Sequence, residues 1–444
     1  MLYTQKLLAE LERKREQLMG YQSRYGEQLA SYRAALVALG ERYPTAADLA
    51  AAQRTLESST EDAQFSLGAR PTEEYDRWQG VASSPRSPSP LGGKGEPADR
   101  AGLPALPFGR SFAHHQQARE WAECLRGVTT FAVDGSQLPP WRDASVPIAL
   151  VQAGLFENPH QPPEPYIKDV TTTLLTPDEL ADAEADTVDT RTGETLGYSQ
   201  QIVNLRRFEL EAETLIARME HHAEAPARAN HPEKDALVVA LYDGSLIVSF
   251  AKKMPPPFKN RYVAAARRML EASERCRVPL VGYIDTSYAR DIVTMLTRLS
   301  PKGALPETRG VHDALLWRGA LAWGDRTPAF ISARDDLASM GYGEQQGDVA
   351  FAYFQAARER PPARLEFPRW LLTSGRLDAV LDALRAETIA GNGYPYPLEA
   401  ADAVAVISAA DRAQFYALFQ DFAQRSGLNL GFSRKSLSKS RRRV

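Results

Sequence analysis

The sequence predicts an α/β fold in which a mixed β-sheet is flanked by helices and preceded by a long helical arm. Two apolar runs, within residues 131–137 and 236–246, each lead into the tripeptide Asp-Gly-Ser. Two strand-like runs and an amphipathic helix lie between them, which is typical of alternating strands and helices. The first 40 residues repeat apolar side chains at seven-residue steps, which predicts a long helix.

The N-terminal arm, residues 1–80, is predicted to be helical. Its seven-residue repeat predicts one helix over 1–40, and a second from about 46 to 59 after Thr45 as N-cap. Periodicity identifies a buried face but not the surface that covers it. The arm therefore either packs on its own domain or pairs subunits as a coiled coil.

The remaining chain is predicted as a linker, a main domain and a tail. Residues 81–108 are rich in Pro, Ser and Gly and predict a linker or surface insertion without a single conformation. Residues 109–432 form the main domain, and the basic segment 433–444 is predicted to be disordered. In chain order, the main domain is predicted to contain a helix at 111–126, strands at 131–134, 146–156 and 166–175, a helix at 198–222, a strand at 236–243, a helix ending near 277, strands at 278–285, 349–355 and 364–367, and helices at 370–390, 397–409 and 411–425.

Composition excludes several classes of protein. The 444 residues are 43% apolar with a net charge of -3, so any nucleic-acid contact must come from local basic patches. Two cysteines are too few for a disulfide framework or a zinc site. No apolar stretch reaches the roughly 18 residues of a membrane span. We expect a soluble cytoplasmic protein without a membrane contact.

The order of these elements matches ribonuclease H-like domains, in which a three-strand meander is followed by a crossover helix and a parallel fourth strand. That order places Asp134 and Asp243 at neighbouring strand ends, with a glutamate of the helix, Glu209 or Glu211, facing the same point. Three carboxylates together are electrostatically unfavourable unless a cation neutralises them. Oxygen ligands favour Mg²⁺ or Mn²⁺, and two such ions can hydrolyse a phosphodiester.

Five short motifs resemble the NurA nuclease family and follow one another in the family's order: residues 131–137, 206–211, 241–246, 363–368 and 393–402. The resemblance spans about 128–408. It implies a Mn²⁺-dependent (or Mg²⁺-dependent) DNA nuclease, with exonuclease and single-strand endonuclease activity on single strands and duplex ends. It also implies a homodimer that works with a HerA-type hexameric translocase in DNA end resection during double-strand break repair.

The resemblance also implies roles for individual residues. Asp134 and Asp243 look like metal-binding aspartates, and Glu211 looks like the helix carboxylate, with Glu209 as its alternative. Asp402 stands where the family pattern has a histidine, which makes it a further carboxylate of the catalytic group or a solvent-facing residue.

Five residues are candidates for DNA contact. The basic side chains in the loop after Asp243 either contact phosphates or only solvate the loop. Tyr394 either stacks on a base or packs at a proline-rich turn. The candidates are Lys252, Lys253, Lys259, Arg261 and Tyr394.

Two other functions are consistent with parts of the pattern. An actin-like or sugar-kinase-like phosphotransferase also places Asp-Gly turns after strands, but the glutamate helix has no obvious counterpart there. A non-catalytic adaptor would grip DNA or a motor with an inactive core, although the intact carboxylates at 134 and 243 argue against it.

Overall fold

The computed structural model describes residues 3–60, 65–82, 102–110, 112–140, 145–181, 200–224, 237–307, 310–334, 349–357 and 360–431. Most of the predicted linker and the basic tail lie outside these residues. The chain forms two units by its internal contacts. The arm unit comprises the described residues of 1–117, 284–337 and 345–369, and the meander unit those of 118–283 and 370–444. The predicted domain boundaries at 80, 108 and 432 stay predictions.

The described helices are numbered in chain order: α1 (Thr4–Arg13), α2 (Arg15–Arg42), α3 (Ala46–Ser59), α4 (Glu74–Ala82), α5 (His115–Ala122), α6 (Pro177–Leu180), α7 (Gln200–Glu224), α8 (Pro256–Cys276), α9 (Asp291–Leu299), α10 (Asp313–Leu316), α11 (Trp370–Thr373), α12 (Leu377–Ala390), α13 (Tyr396–Ala405) and α14 (Ala409–Arg425). Short 3₁₀ turns span Glu123–Leu125 and Ser249–Lys253. In the part of the chain that the structure describes, no helix has the length and apolar character needed to cross a membrane.

The described strands are β1 (Gly68–Pro71), β2 (Thr129–Leu138), β3 (Ala149–Asn158), β4 (Ile167–Leu175), β5 (Val238–Asp243), β6 (Leu280–Ile284), β7 (Phe330–Ala333), β8 (Val349–Phe354) and β9 (Ala363–Pro368).

The meander unit has the ribonuclease H-like topology that the sequence predicts. Strands β2, β3 and β4 form an antiparallel meander, β5 is parallel to β2, and β6 is parallel to β5. The strand order is β6-β5-β2-β3-β4. Helix α7 connects β4 to β5 and packs on β2 and β3, because its apolar stripe, which includes Leu205, Ala212 and Leu215, is fully buried. The mixed sheet with flanking helices confirms the predicted fold class.

The arm unit contains an antiparallel sheet in the order β1-β7-β8-β9, and its core includes part of the N-terminal arm. Tyr32, Leu36 and Leu39 of α2 are buried in a cluster with Ile292 of α9 and Trp317. The Tyr32 hydroxyl donates to the carbonyl of Pro306 at 3.0 Å. The C-terminal half of the arm therefore packs on its own unit, as the simpler of the two interpretations predicted.

A second group of buried charges lies in the arm unit. Asp291 accepts hydrogen bonds from Arg334 at 2.7 and 2.8 Å and from Arg364 at 2.9 Å. Arg364 also donates to Glu366 at 2.7 Å and lies 3.8 Å above the Phe351 ring. We call Asp291, Arg334, Arg364 and Glu366 the paired cluster, because its two acids face two arginines.

Two predicted helices are divided in the structure, and residues at the end of the predicted linker are packed. The single helix predicted over 1–40 is interrupted at Lys14, between α1 and α2. Helix α1 has no buried residue, so no packing contact keeps it in line with α2. The end of the predicted linker is packed, because Leu103 and Leu106 are buried and Leu106 bridges to Arg326. The helix predicted over 370–390 divides at Gly375, whose φ is +70°.

Candidate active site

Asp134 lies inside β2 rather than at a turn, which corrects the sequence prediction. Antiparallel pairing with β3 continues past it, from Asp134 opposite Gly154 to Leu138 opposite Leu150. Parallel pairing with β5 stops one residue earlier, at Val133 opposite Tyr242. Asp134 therefore stands where β2 loses one neighbour, beside the end of β5.

Asp243 ends β5 and the predicted turn follows it. Gly244 has a φ of +144°, a conformation that side-chain-bearing residues rarely adopt. Its N–H points to the carbonyls of Tyr242 and Tyr283, each at 3.1 Å. Because β2 and β5 are parallel and adjacent, Asp134 and Asp243 are brought to the same edge, as the sequence predicts.

Helix α7 brings Glu211 against the Asp134 segment, and Gly135 makes this approach possible. A Cβ on Gly135 would lie 2.0 Å from Glu211 Oε1, closer than any real contact. Arg207, one turn earlier on α7, donates from Nη1 to the Gly135 carbonyl at 3.0 Å and lies 3.1 Å from Glu211 Oε1. The Tyr242 hydroxyl lies 3.5 Å from Glu211 Oε2. Arg207 thus joins the helix carboxylate to the strand.

The two candidate glutamates of α7 have different partners. Residues two apart on a helix point about 200° apart around its axis. Glu209 is held by Arg206 and by Arg261, the latter through contacts of 2.8 and 2.7 Å. Although burial acts to raise it, these arginines hold the pKa of Glu209 below its ordinary value. Glu211 faces Asp134 and Asp243 instead.

Asp402 reaches Asp134 because α13 lies very close to β3. A Cβ on Gly154, the residue opposite Asp134, would lie 2.6 Å from the Ala405 nitrogen. Gln152 donates to the Ala405 carbonyl at 2.6 Å and fixes the end of α13. A side-chain hydrogen bond joins Asp402 to Asp134.

The site is rich in negative charge. The pKa of Asp134 is raised to about 6. Burial is the largest cause, and the hydrogen bond to Asp402 and the charges of Asp402 and Asp243 add to it. Burial raises the pKa of Glu211 to about 7, and the charges of Asp134 and Asp243 add to this against the opposing effect of Arg207. We call Asp134, Asp243, Glu211 and Asp402 the carboxylate group. Arg207 is the cation that contacts its buried member.

The donor set of the carboxylate group consists of carboxylate oxygens alone. Among the His, Cys, Asp and Glu side chains that the structure describes, no three stand close enough together to hold a metal ion. Glu211 Oε1 is buried and lies 3.1 Å from Arg207 Nη1, and it accepts no hydrogen bond of good geometry from the described residues. A hard divalent cation is a natural partner for an oxygen-only donor set. In this chemical respect the residues fit Mn²⁺ or Mg²⁺.

The predicted DNA-contact residues lie in different environments. Lys252 and Lys253 are exposed on the 3₁₀ turn that follows Asp243, and Lys259 is half-buried on α8. Arg261 is bound to Glu209. Tyr394 is half-buried, with its ring 5.2 Å from and nearly perpendicular to that of Tyr283. Their contact with DNA stays a prediction.

Sequence reasoning did not identify the glycines that admit α7 and α13 or the clamp made by Arg207. Nothing in the local pattern distinguishes Gly154 from any other strand glycine. The pair Arg206-Arg207 did carry a signal, since an arginine four residues before a glutamate lies on the same helix face.

The meander unit and its carboxylate group define a ribonuclease H-like domain with a cluster of acidic side chains at the end of its parallel strands. A family model described as the NurA domain matches residues 128–407. The chain belongs to the NurA family.

Solved structures were also compared with the chain. The NurA nuclease from Sulfolobus solfataricus is 12% identical over 67% of this chain and 85% of that chain, with a TM-score of 0.43. NurA bound to dAMP and manganese is 12% identical over 63% and 85%, with a TM-score of 0.31. The catalytic domain of human Endonuclease V is 12% identical over 71% and 95%, with a TM-score of 0.29. No curated protein sequence matches the chain.

Proposed function

We propose that this protein is a DNA nuclease that depends on Mn²⁺ or Mg²⁺. The observation that carries the proposal is the electrostatic interaction of Asp134 with Asp243, Glu211 and Asp402, with Arg207 in contact with Glu211, in a NurA-family domain. A related structure is of NurA with manganese, and another is of NurA bound to dAMP and manganese. The family match gives no support to the phosphotransferase or to the inactive adaptor.

Asp134, Asp243 and Glu211 would hold the metal, and Asp402 would complete the anionic group. Glu209 is the weaker candidate for the helix carboxylate, because Arg206 and Arg261 already neutralise it. When bound, a divalent ion would supply Lewis-acid polarisation of the scissile phosphate and of the attacking water.

The protein's own residues would orient and balance the charges. Arg207 holds Glu211 against the Gly135 carbonyl, so that the helix carboxylate keeps a fixed position relative to β2. The hydrogen bond to Asp402 contributes to the raised pKa of Asp134, which is about 6. Lys252 and Lys253 would bind phosphates of the substrate next to Asp243, and Tyr394 and Lys259 would extend that contact.

The test is cleavage of end-labelled single- and double-stranded DNA with Mn²⁺, with Mg²⁺ or with chelator. We expect Asp134→Asn and Asp243→Asn each to lower the rate by several orders of magnitude, because each removes a charged ligand while preserving shape. The matched control is Asp169→Asn, since Asp169 is an exposed aspartate of β4, the strand next to β3. Full activity in either site variant, or activity in chelator, would refute the proposal.

We further propose the finer function that the family resemblance implies. The protein would act as exonuclease and single-strand endonuclease, as a cytoplasmic homodimer, with a HerA-type hexameric translocase in end resection and double-strand break repair. The arm supports a role in partner binding, because Leu7, Leu8, Leu11 and Leu18 of α1 and α2 are exposed.

Removal of residues 1–13 tests this role without opening the core, because α1 buries no residue whereas α2 buries Tyr32, Leu36 and Leu39. We expect weaker dimerisation or weaker capture of a HerA-type hexamer with an unchanged unfolding midpoint. Light scattering and a pull-down measure these. Unchanged assembly in both assays would rule out α1 as the contact.

A further inference from the structure

Phe250 is an exposed aromatic side chain close in sequence to the carboxylate group. It lies in the 3₁₀ turn Ser249–Lys253, which follows Asp243 at the end of β5, and its ring is 55% exposed. Two exposed lysines, Lys252 and Lys253, follow it in the same turn. A single exposed phenylalanine is common on protein surfaces, and here it is the adjacent lysines and the aromatic contacts beneath it that indicate a ligand.

Phe250 stands at the outer end of a continuous row of aromatic rings that leads to Glu211. Its ring lies 5.0 Å from that of Tyr262, edge to face at 83°. Tyr262 lies 5.1 Å from Phe208, and Phe208 lies 6.3 Å from Tyr242. The Tyr242 hydroxyl lies 3.5 Å from Glu211 Oε2.

This row fixes the orientation of the exposed ring. Tyr262, Phe208 and Tyr242 are buried, so each ring is held by its neighbours. Phe250 meets Tyr262 at a nearly perpendicular angle, and the residue stays 55% exposed. Phe250 is therefore an exposed aromatic group that packs on a buried one.

Lysines beside an exposed aromatic ring are the chemistry that recognises single-stranded nucleic acid. The cations bind successive phosphates, and the ring stacks on a base, which is possible only when the base has left its duplex neighbours. An aliphatic protein surface would gain from the ring but not from the adjacent cations. Charge complementarity thus favours DNA as the occupant.

We propose that Phe250 is a base-stacking platform for single-stranded DNA, with Lys252 and Lys253 holding the adjacent phosphates, in the segment that follows Asp243. The inference deepens the proposed nuclease function and rests on it for the identity of the ligand. It assigns the site a preference for unpaired segments or frayed ends over intact duplex.

The test measures binding without cleavage, using the full-length protein in chelator. The probe is a single-stranded oligonucleotide with 2-aminopurine scanned along its length, because the fluorescence of this base is quenched by stacking and therefore changes when its stacking partner changes. The variants are Phe250→Ala and Phe250→Trp. The matched control is Phe422→Ala, since Phe422 on α14 is exposed to a similar extent, 53%.

We expect Phe250→Ala to weaken single-strand binding roughly 5- to 150-fold, which corresponds to the loss of one base–aromatic stack. Phe250→Trp and Phe422→Ala should bind within about twofold of the native protein. One 2-aminopurine position should respond to Phe250→Ala, and an abasic residue at that position should remove the difference between native and variant.

Other outcomes would overturn the inference. One is equal single-strand binding by the Phe250→Ala and Phe422→Ala variants. Another is that Phe250→Ala weakens binding to blunt duplex as much as binding to single-stranded DNA. A third is a change in sedimentation without a change in DNA affinity, which would indicate a protein contact. Cleavage assays separate the two proposals. If the protein cleaves no DNA but its single-strand binding depends on Phe250, only the proposed nuclease function is refuted. If the protein cleaves DNA but its binding does not depend on Phe250, only the proposed role of Phe250 is refuted.

Discussion

Asp291 in the arm unit is enclosed by two arginines, whereas Asp134 in the meander unit has Asp402 and Asp243 as neighbours. Asp291 is fully buried, and although burial alone would raise its pKa, Arg334 and Arg364 hold that pKa well below its usual range. Burial and neighbouring charge together raise the pKa of Asp134 to about 6. The same side chain is therefore a stable anion in one region and an easily protonated group in the other.

The difference distinguishes buried acids whose charge is balanced by other side chains of the protein from acids whose charge a bound cation would have to balance. A buried acid with matched arginines is complete and adds no demand for a further cation. Acids that repel one another destabilise the ligand-free protein and gain from any cation that binds them. The paired cluster is therefore part of the fold, and the carboxylate group has the unbalanced negative charge that the proposed metal site requires.

The largest expected effect is on stability in the paired cluster. We expect Asp291→Asn to lower the free energy of unfolding by about 3–5 kcal/mol, because it leaves Arg334 and Arg364 buried with too little negative charge. Glu211→Gln in the carboxylate group should not lower it, since the pKa of Glu211 is about 7 and the buried group is already partly neutral. Urea unfolding at pH 7 in chelator measures both variants. A larger loss for Glu211→Gln would reverse the comparison.

Glu157 is a buried carboxylate of the meander unit that is paired with basic side chains. It shows whether the pairing, rather than the unit in which the carboxylate lies, determines its pKa. Glu157 is buried, and Arg218 and His222 lower its pKa to about 2 against the opposing effect of burial. Its stabilisation is present above its unfolded pKa of 4.5 and is lost as pH falls towards 2. Glu157→Gln should therefore cost about 3 kcal/mol at pH 7 and progressively less at pH 4 and 3. A loss that does not depend on pH would mean that packing, not charge, explains the effect.

The smallest expected effect is on catalysis, at Asp402, an exposed member of the carboxylate group. We expect Asp402→Asn to lower the cleavage rate roughly 10- to 100-fold, about 1.4–2.7 kcal/mol in activation free energy, and to raise the Mn²⁺ needed for half-maximal rate. The matched control is Glu399→Gln, an exposed acid one turn earlier on α13. Superimposable Mn²⁺ titrations of the native protein and Asp402→Asn would remove Asp402 from the group.

The order of strands and helices could be predicted because it depends on the pattern of apolar residues within each short segment of the chain. Apolar β-branched runs separated by short connections predict the meander, and the stripe on α7 predicts a crossover helix. The continuation of β2 past Asp134 could not be predicted, because Asp-Gly-Ser favours a turn and only the partner strand β3 overrides it. The seven-residue repeat predicted a helical arm but not that half of its apolar face lies in the core of the arm unit.

The sequence by itself determined the class of fold, predicted the two aspartates of the parallel strands and narrowed the helix carboxylate to Glu209 or Glu211. Only the tertiary structure distinguishes the surroundings of these two residues, because Arg261, 52 residues after Glu209, neutralises that glutamate, whereas Glu211 interacts with Asp134. The approach of Asp402 likewise depends on Gly154, which is 248 residues away along the chain and opposite Asp134 in the sheet. Strand and helix formation are governed by neighbours in sequence, whereas charge compensation is governed by neighbours in space.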